Sequence, residues 1–158
     1  MTSAKEQLEY DDGFSLSATR RTLPIALLRA REVVMERFRP LLSENGLTEQ
    51  QWRVLRVLNE VDELDATKLA AQACVLMPSL TRIIKLLESR DLIEIRKDPS
   101  DGRRALARLT PKARDLIFSV APRSSDIYRE IENSYGVERL TQLLDEIDAL
   151  ILSLDSKA

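Results

Sequence analysis

A mainly α-helical chain with one small β-hairpin is predicted, on three observations. Only four of the 158 residues are glycine while 32% are charged, a balance suited to helices with solvated outer faces. Apolar residues recur at helical spacing in long runs near both ends of the chain. Between Leu92 and Leu109 the period shortens toward two, on either side of the turn-forming Asp98-Pro-Ser-Asp-Gly102.

Taken in order, Met1 to Ser17 is polar and without a motif, so residues 1–17 are expected to form a loosely packed tail. A first long helix is predicted from Ala18 or Leu23 to Leu42. Leu23, Leu27, Ala30, Val34, Phe38 and Leu41 make one stripe, and Leu28, Met35 and Leu42 widen it. A stripe that wide calls for two packing partners. Ser43-Glu-Asn-Gly46 closes the helix, with Gly46 suited to a left-handed backbone, so the first segment spans 18–46. Thr48 and Gln51 form a capping box for the next helix, whose Leu55 and Leu58 face the core.

Asp65 caps a short helix with Leu69, Ala70 and Ala73 on its inner face. After a turn at Cys74 to Met77, Pro78 starts a second helix at a position where a missing N–H costs nothing. There Leu80, Ile83, Ile84 and Leu87 face inward, leaving Ser79, Arg82, Lys85 and Ser89 on a small, polar, basic outer face. Leu92 or Ile93 opens one strand, and Ala105 to Leu109 returns as the other. The tip between them carries Arg103 and Arg104.

Short helix, turn, basic helix and arginine-tipped hairpin, in that order, describe a winged helix-turn-helix over 47–110. The basic helix can enter a major groove while the wing reaches the flanking minor groove or its phosphates. Candidate DNA contacts are therefore Ser79, Thr81, Arg82, Lys85, Arg103 and Arg104. From Met77 to Arg114 there are ten Lys or Arg against five acids, although the whole chain has a net charge of −2. Positive charge is thus concentrated where nucleic acid would sit, and it is the distribution that matters for such binding.

Thr110-Pro-Lys-Ala opens a helix carrying Ala113, Leu116, Ile117 and Val120, and Pro122 is expected to kink or break it. A last helix has Val137, Leu140, Leu143, Leu144, Ile147, Leu150, Ile151 and Leu154. These side chains outnumber what a small lobe can cover. The segment 111–158 is accordingly expected to interlock with the first helix of a second copy, making a homodimer with about 2,000 Å² or more buried.

Two residues of the long helices have more than one reading. Arg31 has Leu28, Met35 and Phe38 at helical spacing around it, which would bury a guanidinium. It either makes a salt bridge within the dimer or to the DNA-binding lobe, or its fork holds the carboxylate of a small effector. Trp52, the single tryptophan, either fills the junction between the long helices and the lobe or stacks on a ligand.

Asp101-Gly-Arg103, followed by Arg104-Ala-Leu-Ala-Arg-Leu-Thr-Pro-Lys112, resembles the Asp-x-Arg wing signature and following Leu-Thr of the MarR family of bacterial transcription regulators. That resemblance implies that Arg103 is the wing arginine for the minor groove and that Asp101 orients it. Asp91 stands where many members have glycine before the wing strand, and an aspartate adopts the left-handed conformation at modest cost. Leu27-Leu-Arg-Ala-Arg-Glu32, Phe38-Arg-Pro40, Leu47-Thr-Glu-Gln-Gln-Trp-Arg53 and Ala73-Cys-Val-Leu-Met-Pro-Ser-Leu-Thr81 are similar to the branch that represses homoprotocatechuate catabolic operons. Together these stretches cover most of Leu23 to Lys112. They imply a homodimer that releases a pseudo-palindromic operator when a phenolic or aromatic carboxylate binds between the dimerisation helices and the DNA lobe.

Composition excludes much else. The chain has no histidine and one cysteine, which removes triad hydrolases, Cys-His nucleophiles and multi-cysteine zinc sites. Glycine-rich phosphate loops are absent, so no catalytic residue, cofactor or metal is expected. No apolar run approaches the roughly 18 residues of a membrane span, and no secretory segment opens the chain, so a cytoplasmic location is expected. Two alternatives stand beside the ligand-responsive repressor. One keeps the fold and makes Cys74 a redox trigger, against the ordinary reading of a lone cysteine beside Val75, Leu76 and Met77 as packing. The other is a helical interaction module that binds no DNA.

Overall fold

The computed structural model describes residues 22–155. The expected tail at 1–17 and the Ala18 start of the first helix lie outside the described residues. Six helices and three strands follow in order: α1 Leu23–Glu44, α2 Glu49–Glu60, β1 Leu64–Asp65, α3 Ala66–Gln72, α4 Met77–Ser89, β2 Ile93–Lys97, β3 Ala105–Leu109, α5 Pro111–Tyr135 and α6 Val137–Asp155. The chain divides into two compact units, one ending at Arg37 and the other starting at Phe38.

In the first unit α1 is regular and largely exposed, with Leu23, Leu27, Leu28, Val33 and Val34 all open to solvent. The Arg31 side chain is 42% exposed and its Nη1 lies 3.0 Å from Glu32 Oε1.

The second unit has its core where the predicted stripes meet. Val54, Leu55 and Leu58 of α2, Leu69 of α3, and Leu80 and Leu87 of α4 are completely buried. Ile93, Ala107 and Leu109 of the sheet and Ala113, Ile117 and Val120 of α5 are buried with them. Phe38, Leu41, Leu42 and Leu47 are buried too, and the Phe38 ring sits 5.0 Å from that of Tyr128 of α5. Arg123 of α5 pairs with Glu44 at the end of α1, a second tie between the same two elements.

Three helices end in the same way. At Gly46, Cys74 and Asp91 the backbone turns left-handed, with φ of 64°, 51° and 58°. The next residue returns a bond to the carbonyl five before it: Leu47 to Leu42 at 2.9 Å, Val75 to Ala70 at 3.0 Å, and Leu92 to Leu87 at 2.9 Å. Each pair is apolar and buried, so one motif both satisfies the last helical carbonyls and turns the chain back over the core. Gly46 and Asp91 behave as expected from sequence. Cys74 corrects the packing expectation: as the left-handed residue after α3 it is exposed, while Val75 beside it takes the buried place.

Two further differences concern strands and proline. The expected hairpin is the larger part of a three-stranded antiparallel sheet ordered β1-β3-β2, in which Leu64 pairs with Ala107 and Asp65 with Leu106. A two-residue strand is too short to have a period, and Asp65 serves as strand end and helix cap at once. Pro122 does not break α5, which runs on to Tyr135. Pro122 and Phe118 are both exposed, so the carbonyl that loses its donor lies on the wet side of the helix, while Val120 and Ser124 hold the buried side.

Candidate nucleic-acid interface

The α3–α4 pair is bent by 104° at its break, the geometry of a helix-turn-helix. Local chemistry sets each end. The Asp65 carboxylate accepts the Lys68 N–H at 2.9 Å to start α3, and Pro78 sits in the first turn of α4. Leu80, Ile83 and Leu87 anchor α4 in the core, so the opposite face looks outward. On that face Thr81, Arg82, Lys85 and Ser89 are exposed, whereas Ser79 is half-buried and Ile84 borders the core. Thr81 Oγ1 donates to the Met77 carbonyl at 3.1 Å, tying its hydroxyl back into the helix.

At the wing the turn is built by aspartates. Asp98 Oδ1 accepts the Ser100 hydroxyl at 2.6 Å and its N–H at 2.8 Å, and these bonds hold the Asp98 carboxyl below the ordinary carboxylate range. Asp101 Oδ1 accepts the Arg103 backbone N–H at 3.1 Å. This bond fixes the backbone of the wing tip at Arg103, whose side chain is exposed.

Charge in this region divides into two sets. Arg96 is bonded to Glu63 through Nε at 2.6 Å and Nη2 at 2.5 Å, and that carboxylate raises the arginine pKa further. Arg108 lies 2.9 Å from Glu94, and Arg104 lies 3.1 Å from Asp65. Among the described residues Arg82, Lys85 and Arg103 have no such partner. With Lys97 and Arg114, which also lack a carboxylate partner, they keep a charge that no internal acid neutralises. Arg104, although half exposed, doubles as a tie from the wing to the cap of α3.

Sequence reasoning overlooked two arginines that hold this frame. Arg53 of α2 donates to the Ala73 carbonyl at 2.8 Å and the Cys74 carbonyl at 3.3 Å, bracing the turn of the helix-turn-helix. Arg90, just after α4, donates to the Gly46 carbonyl at 2.6 Å, and Lys112 donates to the Arg90 carbonyl at 2.8 Å. Their partners lie far away in the chain, so no local pattern marks them.

Residues 47–105 match the model of the MarR family. The chain is also 40% identical over 132 residues to the homoprotocatechuate degradative operon repressor of Escherichia coli, covering 82% of this chain and 89% of that one. This chain belongs to the MarR family. It is a DNA-binding transcription regulator, a non-enzymatic class of protein. The HTH-type transcriptional regulator FarR of Neisseria gonorrhoeae is 39% identical over 124 residues, 78% of this chain and 85% of FarR. The solved structure of NadR in complex with 4-hydroxyphenylacetate superposes with a TM-score of 0.75 at 37% identity, covering 84% of this chain and 94% of NadR. In this winged-helix fold the β2–β3 hairpin is the wing.

Arg31 is exposed beside Glu32, as described, and Trp52 is half-buried on α2. No group of three or more His, Cys, Asp or Glu among the described residues is arranged to hold a metal. No single described helix is long and apolar enough to cross a membrane.

Proposed function

We propose that this regulator is a homodimeric repressor of an operon for aromatic-compound catabolism, seated on a pseudo-palindromic operator in the cytoplasm. The observation that carries the DNA contacts is that Arg82 and Lys85 on the outward face of α4 and Arg103 at the wing tip have no internal carboxylate partner, whereas Arg96, Arg104 and Arg108 each have one. Arg82 and Lys85, with Thr81 and Ser79, enter the major groove; Arg103, supported by Asp101, reaches the minor groove, and Arg104, paired with Asp65, braces the wing beside it. Dimerisation is supported by α6, which has no buried residue although Val137, Leu143, Leu144, Ile151, Leu152 and Leu154 lie along it. A helix with such a stripe needs a cover.

A small phenolic or aromatic carboxylate releases the operator. Likeness to the Escherichia coli repressor and to NadR, crystallised with 4-hydroxyphenylacetate, supports that class of effector. Arg31 is the candidate for the carboxylate and Trp52 for the ring. Selection from random-sequence DNA tests the first half: a two-fold symmetric site with half-sites about one helical turn apart is expected, and failure to enrich any site refutes it. Thermal shift with 4-hydroxyphenylacetate tests the second. Stabilisation is expected in the wild type and not in Arg31→Ala, and stabilisation that survives the substitution removes Arg31 from the effector site.

A further inference from the structure

The tip of α4 exposes hydrocarbon where a basic surface would be expected. Leu76, the residue preceding the helix, is 78% exposed, and Met77 beside it is 43% exposed. An exposed leucine is unremarkable singly, but two large apolar side chains at the start of a recognition helix are the part of that helix that meets base edges. Thr81 lies one turn on from Met77, and its hydroxyl is bonded back to the Met77 carbonyl, which leaves its methyl group as the chemistry it presents. The same outward side then continues into the unpaired Arg82 and Lys85, which set the helix against phosphates. Apolar tip and cationic flank together fit one occupant, the floor of a DNA major groove. Of the features on that floor only the thymine 5-methyl group is apolar.

We infer that Leu76, with Met77 and the Thr81 methyl, reads thymine methyl groups in each half-site and so determines part of the operator sequence. This rests on the reading of α4 as the recognition helix. The cations supply affinity without regard to sequence; the apolar tip discriminates T·A from C·G pairs, which offer no methyl at that place.

The probe is the operator recovered by random-sequence selection, resynthesised with deoxyuridine replacing one half-site thymine at a time, which removes only the methyl group. Wild-type protein is expected to lose about four-fold in affinity at one or two of these positions, the worth of burying one methyl group. Leu76→Ala is expected to bind the unmodified operator more weakly and to lose sensitivity to deoxyuridine there, whereas Leu76→Met keeps it. Since Leu76 is exposed, unchanged thermal midpoints confirm that both variants fold. If no deoxyuridine position weakens the wild type, or if Leu76→Ala stays as sensitive as the wild type, the inference is overturned while the regulator reading stands. A selection that yields no operator overturns both.

Discussion

Replacing single wing arginines by glutamine separates charges that serve DNA from charges that serve the fold. Each phosphate contact contributes about 0.9 to the slope of log affinity against log salt. Arg103 has no internal partner, and a symmetric dimer would present it twice, so Arg103→Gln should reduce the slope by about 1.8. Raising salt four-fold, from about 50 to about 200 mM, then weakens the wild type about twelve-fold more than it weakens the variant. Arg96 is different because both ends of its guanidinium fork are occupied by Glu63. Its field at a phosphate is largely cancelled by the carboxylate, so Arg96→Gln should leave the slope near the wild-type value. Fluorescence anisotropy with a labelled operator across a salt series reads both slopes. Equal reductions in the two variants would mean that internal pairing does not decide which cations engage DNA, and the reasoning would fail.

Three other outcomes are expected. Asp65→Ala removes the α3 cap and the partner of Arg104, and a lost cap costs about 1 kcal/mol, or roughly 2–4 °C in a chain of this size; Asp65→Asn keeps the cap acceptor and should melt closer to the wild type, so identical losses would contradict the capping role. Asp91→Gly should raise urea-unfolding stability by about 0.5–1 kcal/mol, because glycine accepts the left-handed backbone at that position without the side-chain penalty; a decrease would show that the Asp91 side chain contributes something the glycine lacks. Asp98 should titrate below the usual value of about 3.9 in a carboxyl NMR titration and return toward it in Ser100→Ala. Because the folded value is the depressed one, the stabilisation is complete above the unfolded pKa and disappears as pH falls through the folded pKa.

Which parts of this protein could be read from its sequence follows from how far apart the interacting groups lie. The Thr48–Gln51 box, the Asp65 cap, the α4 stripe and the left-handed Gly46 and Asp91 all rest on contacts within a few residues, and each is found as expected. Helical periodicity and turn chemistry are written in neighbouring residues, so the fold class and the outward face of α4 were legible. Charge counted along the chain from Met77 to Arg114 singled out the α4 and wing segment. It did not say which cations were available. Arg96 meets Glu63 across 33 residues, Arg104 meets Asp65 across 39, and Arg90 meets Gly46 across 44. Only the folded backbone brings those pairs within bonding distance. The sequence by itself determined a winged helix-turn-helix with a basic reading helix, because those features are local. The tertiary structure decided which arginines are neutralised, how β1 completes the sheet and where hydrocarbon is left facing outward, because each depends on segments that meet only after folding.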